Sequence, residues 1–211
     1  MPAPFPLPEN HVTDPDVAPD PASEPALILT DRDILDAIAE GSVAIEPPPP
    51  AEFYAPNGVD LRLDTRLTLY RDPAEDEDPV IDPAGPGYSF REAITRMADD
   101  IEIGEAGFVL DPGRLVLGWT LERVDLRPGA RLAARVEGKS SLARIGLIVH
   151  LTAPTIHAGS TGRIQLEIIN LGPRPIRLRA GMKVCQLILE QTLGVPQRGY
   201  GGQFAGQRAA G

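Results

Sequence analysis

The sequence predicts a mainly β protein, a barrel or sandwich of jelly-roll type with a few short helices. Two observations carry this. From Gly107 onward, short runs rich in Val, Leu and Ile recur at residues 107–110, 114–121, 131–136, 145–151, 163–169, 175–178 and 183–190. Turn signals separate them: Asp111-Pro112-Gly113, Arg127-Pro128-Gly129, Ala158-Gly159 and Arg179-Ala180-Gly181. Many short strands at near-regular spacing are the pattern of a closed or double-layered β fold.

The elements before Gly107 are less regular. Residues 1–25 are rich in Pro, Asp and Glu without apolar periodicity, which predicts a flexible acidic arm. Thr30 reads as a helix N-cap with Asp33 three residues on, Ile34, Leu35 and Ile38 as one apolar face, and Gly41 as the stop. Pro47 to Pro50 is a stiff connector. Residues 57–63 alternate apolar and polar, the period of a half-buried strand. The acidic, Pro/Gly-rich stretch 71–87 predicts a surface loop, and 89–100 a second helix with Phe90, Ala93, Ile94 and Met97 on one side. The chain thus divides into the arm 1–25, a β domain over 26–197, and a Gly/Arg/Gln-rich flap over 198–211.

Composition bounds the function. The 211 residues suffice for one domain with a sizeable core. A formal charge of −10 argues against a general nucleic-acid surface, while leaving room for a small basic pocket that takes a phosphorylated small molecule. One cysteine, Cys185, forms no intrachain disulfide and removes a cysteine-based zinc site; we read it as a buried small apolar residue in a reducing compartment. The chain has no apolar run of membrane-spanning length and no signal-peptide pattern at its start, so the expected location is the cytoplasm, with no membrane partner.

Two boxes carry chemistry: Gly138-Lys139-Ser140-Ser141-Leu142-Ala143-Arg144-Ile145-Gly146, and Gly159-Ser160-Thr161-Gly162-Arg163-Ile164-Gln165-Leu166-Glu167. Hydroxyls and backbone N–H groups on a turn, with Lys139 and Arg144 beside them, suit phosphate oxygens; a solvated turn with a serine cap is the alternative. In the second box, period-2 counting places Ile164, Leu166 and Ile168 on one face and Gln165, Glu167 and Ile169 on the other. With the first set in the core, Glu167 points into whatever the second face lines. A solvent-facing strand glutamate is the alternative, and only a walled cleft would raise its pKa toward neutrality.

In this order and separation the boxes resemble dCTP deaminase of the deaminase/dUTPase superfamily. So do Thr152-Ala153, the run Gly181-Met182-Lys183-Val184-Cys185-Gln186-Leu187, the strand at 57–63 and the tail from Tyr200 to Gln207. The resemblance spans roughly residues 27–207. It implies a distorted, dUTPase-like (β-clip) barrel that forms a homotrimer with shared sites, and a zinc-independent deamination of dCTP to dUTP with Mg²⁺ carried by the triphosphate. By the same resemblance Glu167 is the catalytic glutamate, and Ser140 and Arg144 hold the attacking water and the glutamate. Lys139 and Ser141 face phosphate; Thr155, His157, Gln186, Tyr200, Gln203 and Gln207 complete the nucleotide-binding set.

One segment departs from the family pattern. Residues 153–160 replace the commoner Ala-x-x-Ile-Asp-x-Gly-aromatic, putting His157 at the Asp position and Ser160 at the aromatic one. In dUTPases that Asp activates the water that cleaves the triphosphate, so its replacement favours deamination over dUTP hydrolysis. The alternatives are a dUTP pyrophosphatase, a bifunctional deaminase/dUTPase, and a non-catalytic nucleotide-binding member of the fold. His150, at the end of an apolar strand, reads as structural.

Overall fold

The computed structural model describes residues 28–75 and 80–197. The predicted arm 1–25, the flap 198–211 with Tyr200, Gln203 and Gln207, and residues 76–79 of the acidic loop lie outside the described residues. The chain opens with α1 (Asp31–Ala39), whose Thr30 cap forms a reciprocal capping box with Asp33. That box satisfies N–H groups the first turn leaves open. Gly41 (φ 72°) ends the helix in the left-handed region, as expected. The buried face differs from expectation: Ile34 and Ala37 are buried with Ile38 beside them, while Leu35 is half exposed. The docking of α1 on the sheet centres the buried stripe on Ile34, Ala37 and Ile38 and leaves Leu35 at its edge.

The strands follow in order: β1 (Val43–Glu46), β2 (Tyr54–Ala55) and β3 (Gly58–Tyr70). After the acidic loop come α2 (Phe90–Met97), capped by Ser89, and β4 (Ala98–Glu102). Then follow β5 (Phe108–Leu110), β6 (Leu115–Leu126), β7 (Leu132–Gly138), the single-turn helix α3 (Ser140–Ala143), and β8 (Leu147–Val149). The last strands are β9 (Thr155–Ile156), β10 (Thr161–Asn170), β11 (Ile176–Leu178) and β12 (Lys183–Gln191). All the expected runs are strands. The run at 145–151 is shorter than expected, because Gly146 (φ 94°) and His150 (φ 63°) take left-handed backbone conformations on either side of β8.

One antiparallel sheet runs β8-β10-β6-β3-β12-β7-β9, with β1 also on β6 and β2 and β4 on β3; β5 and β11 pair separately. Strands β8 and β9 end opposite edges of that path, yet residues 150–154 join them directly. The sheet is therefore curled into a half-barrel. Its core holds Leu61, Leu63, Leu67, Leu166, Ile168, Leu187 and Leu189, all fully buried. A buried polar pair is set into this core. Glu122 of β6, with no exposed side-chain surface, accepts from the backbone N–H of Arg62 at 2.8 Å and from its Nε at 2.5 Å.

Candidate active site

The alternation of β10 settles where its side chains go. Ile164, Leu166 and Ile168 are buried in the core, and Arg163, Gln165 and Glu167 face a cavity of about 430 Å³. The other walls come from Tyr70 at the end of β3, Phe90 of α2, and the 150–160 segment with His150, Thr155, His157 and Ser160. The curl of the sheet brings these together: β8 pairs with β10, and β9, paired with β7, contributes Thr155 and Ile156 to the lining.

Glu167 is half-buried here, and its nearest polar partner is His150. The main-chain pairing sets this up, because the His150 N–H donates to the Glu167 carbonyl at 2.8 Å. His150 holds a left-handed φ of 63°, uncommon for a residue with a side chain, which turns the imidazole back over the strand. Its Nε2 lies 2.8 Å from the carbonyl oxygen of Ala153 and its Nδ1 lies 2.9 Å from Glu167 Oε2. The second contact has ion-pair distance without the alignment of a linear hydrogen bond, and neither atom has another hydrogen-bond partner among the described residues.

A carbonyl oxygen only accepts, so His150 Nε2 is the donor to Ala153. Burial pushes the Glu167 carboxyl up, but the His150 contact and charge, with Glu167's own backbone N–H, outweigh it and hold the carboxyl below its usual value. The His150 contact thus favours the ionised form against the burial of the cleft. Tyr70 is shifted the other way, its phenol pushed up by burial and by the charge of Glu167, so it remains a hydroxyl donor at neutral pH. Arg163 is held at the cavity by an ion pair with Asp64, a buried carboxylate of β3.

The first box lies elsewhere on the chain. Ser140, Ser141 and Arg144 are exposed, and neither they nor Lys139 and Gln186 line the Glu167 cavity. Lys139 is ion-paired with Asp60, which also binds Lys183 (3.1 Å) and Gln186 Nε2 (3.1 Å). Of the predicted site residues, Glu167, Thr155 and His157 share one cavity. Lys139 and Gln186 share a second cluster, with Ser140 and Ser141 directly following Lys139. A single chain does not bring the two groups together.

Among the cavity residues that sequence reading did not assign to the site are His150, Tyr70, Phe90 and Arg163. For His150 the signal available was its position just after β8, and the contact with Glu167 depends on the pairing of β8 with β10, which spacing does not reveal. Tyr70 and Phe90 flank the acidic loop and meet only through the tertiary fold. Cys185 is fully buried, as expected, and burial drives its thiol pKa well up. Among the described residues no three His, Cys, Asp or Glu side chains gather as metal ligands, and no helix is long and apolar enough to cross a membrane.

Comparison with known proteins identifies the family of the chain. A family model described as dCTP deaminase-like matches residues 28–192. The chain is 38% identical over 173 residues to a dCTP deaminase of Rhodospirillum rubrum, covering 82% of this chain and 86% of that one. It is 42% identical over 175 residues to that of Aeromonas hydrophila, with coverage of 82% and 88%. It is 38% identical over 185 residues to a dUMP-forming dCTP deaminase of Nocardioides sp., with coverage of 88% and 91%. Among solved structures, the 2′-deoxycytidine 5′-triphosphate deaminase of Agrobacterium tumefaciens superposes with a TM-score of 0.61 at 24% identity, which shows a shared fold. The match covers 80% of this chain and about half (49%) of the Agrobacterium one. With the family model spanning most of the sequence and relatives this similar, the chain belongs to the dCTP deaminase-like family.

Proposed function

We propose that the protein converts dCTP and water to dUTP and ammonia in pyrimidine deoxynucleotide metabolism, without zinc. The observation that carries this reading is Glu167: a half-buried carboxylate on the cavity face of β10, kept ionised by a nearly buried imidazole. An ionised carboxylate in a cavity of this size can accept a proton from water as its oxygen adds to C4 of cytosine. It passes that proton to N3, then takes the remaining proton from the C4 hydroxyl and delivers it to the amino nitrogen, so ammonia leaves as the C4–N bond breaks and the C4 carbonyl forms. A positioned proton shuttle contributes about 10²–10⁴-fold, and holding the water and ring in place contributes more.

His150 supports the shuttle from behind by keeping Glu167 charged until the water arrives. Thr155 and His157 line the same cavity and are assigned to the nucleotide. Ser140 and Arg144 act on the water and the glutamate, and Lys139, Ser141 and Gln186 act on phosphate. Their separation from the cavity on one chain supports a homotrimer in which one protomer's Ser140–Arg144 turn completes its neighbour's Glu167 cavity. By the family resemblance Tyr200, Gln203 and Gln207 are also assigned to the nucleotide. The phosphate side presents N–H and O–H donors, two of them the lysine ammoniums of Lys139 and Lys183, which suits a Mg²⁺ that arrives on the triphosphate.

A second reading is favoured by one observation: some relatives at 37–38% identity are named as dUMP-forming. Here His157 stands in place of the Asp that activates water for triphosphate cleavage, which favours release of dUTP. Incubating purified protein with dCTP and Mg²⁺ and resolving dUTP, dUMP, ammonia and pyrophosphate separates the two. Ammonia with stoichiometric dUTP is expected; pyrophosphate at the rate of ammonia would replace this reading with the dUMP-forming one.

A further inference from the structure

Asp60 is nearly buried, yet three side chains from two segments converge on its carboxylate. Lys139 Nζ pairs with Oδ1, Gln186 Nε2 donates to Oδ1 at 3.1 Å, and Lys183 Nζ lies 3.1 Å from Oδ2. The backbone explains the convergence. Asp60 of β3 and Gln186 of β12 are direct cross-strand partners, and Gly138, just before Lys139, pairs with Cys185 next door.

Lys183 needs a further device, since strict alternation would put residues 183 and 186 on opposite faces. The register of β12 against β3 shifts between Lys183 and Cys185, and Val184 and Cys185 are buried in succession. A bulge of this kind re-aims one side chain. Here it turns Lys183 to the Gln186 side, where the Phe53 ring lies under its ammonium at 3.8 Å and the Glu52 carbonyl accepts at 3.3 Å.

The donor count shows what the cluster leaves available. Each ammonium has three N–H groups and the Gln186 amide has two. Lys139 uses one on Asp60, Lys183 uses one on Asp60 and one on Glu52, and Gln186 uses one on Asp60. Four N–H donors remain on a net charge of +1, beside the exposed Ser140 and Ser141 hydroxyls. Two flexible lysines with like charge would otherwise spread apart, and each loses rotamer freedom when fixed.

We propose that Asp60 is a positioning residue that gathers Lys139, Lys183 and Gln186 into one array for the polyphosphate of the substrate. This rests on the nucleotide reading above and adds Lys183 to the phosphate-facing set. It also predicts the sign of an effect that simple electrostatics would reverse. Removing the Asp60 charge raises the cluster from +1 to +2, so a carboxylate that merely competes with phosphate would, when neutralised, tighten anion binding. A positioning carboxylate would, when neutralised, loosen it.

The test is Asp60→Asn, checked for folding by circular dichroism, with steady-state kinetics on dCTP and calorimetric titration of inorganic tripolyphosphate. The expected result is a KM raised about tenfold or more with kcat within about threefold, and tripolyphosphate binding weakened by a similar factor. Unchanged or tighter tripolyphosphate binding, or a loss confined to kcat, would overturn the proposal. Lys183→Met, at a partly exposed position, provides the second variant: it should weaken tripolyphosphate binding in the same way, and no effect would also overturn it. Absence of dCTP turnover in the wild type, with tripolyphosphate bound and weakened by both variants, would count against the deaminase reading and leave the role of Asp60 standing.

Discussion

Glu122→Ala is the perturbation whose cost can be worked most directly from the structure. The Glu122 side chain has no exposed surface, and both its oxygens are used: Oε2 by the backbone N–H of Arg62 at 2.8 Å and Oε1 by Arg62 Nε at 2.5 Å. Truncation leaves the guanidinium, only 23% exposed, without its counter-charge, and leaves a backbone N–H without an acceptor. An orphaned buried donor costs about 1–3 kcal/mol, and breaking a buried ion pair from one side costs about 3–5 kcal/mol in total. Against a domain stability of about 5–15 kcal/mol, that is a large fraction. The control is Glu137→Ala, which removes an exposed pair with Arg135 worth about 0–1 kcal/mol. Urea unfolding followed by the fluorescence of the single tryptophan, Trp119, at one fixed protein concentration reads both. Joint replacement, Arg62→Met with Glu122→Leu, should recover much of the loss, because neither desolvated charge remains. If Glu122→Ala costs no more than Glu137→Ala, the core assignment of this pair is refuted.

Two further outcomes are expected. His150→Asn removes the group that holds the Glu167 carboxyl down while burial continues to push it up, so the acid limb of the kcat/KM profile should move to higher pH. With His150 present the carboxylate, and the activity that needs it, should persist as pH falls below the ordinary glutamate range; an unmoved limb in the variant would deny His150 this role. Leu166→Ala, at a fully buried position of β10, should cost about 2–5 kcal/mol in the same unfolding assay, whereas its neighbour Gln165→Ala on the cavity face should cost far less. Equal costs would mean that the face assignment of the strand is wrong.

The parts of the fold legible in the sequence are those fixed by local rules. Thr30 and Asp33 announce their capping box by spacing alone, and the period-2 alternation of β10 by itself sets Glu167 on the face opposite the core residues Leu166 and Ile168. Leu35 shows the limit. It belongs to a helical apolar pattern, but which residues of that pattern meet the sheet depends on how α1 docks.

The site shows the same limit more sharply. His150 reaches Glu167 through a non-local strand pairing and a left-handed φ, and Lys183 reaches Asp60 through a bulge that breaks strict strand alternation. Tyr70 and Phe90 enter the cavity from either side of an acidic loop. Each is a contact between segments distant in sequence, set by register rather than by composition.

The central claim is that Glu167 moves the protons of deamination. Its most direct test is Glu167→Gln, which keeps the shape of the side chain and removes the base. Ammonia release from dCTP should fall by about 10²–10⁴-fold or more, with dCTP binding measured by calorimetry within a few-fold of wild type. Turnover by Glu167→Gln within tenfold of an active wild type would contradict the claim, as would a wild type that binds dCTP and releases no ammonia.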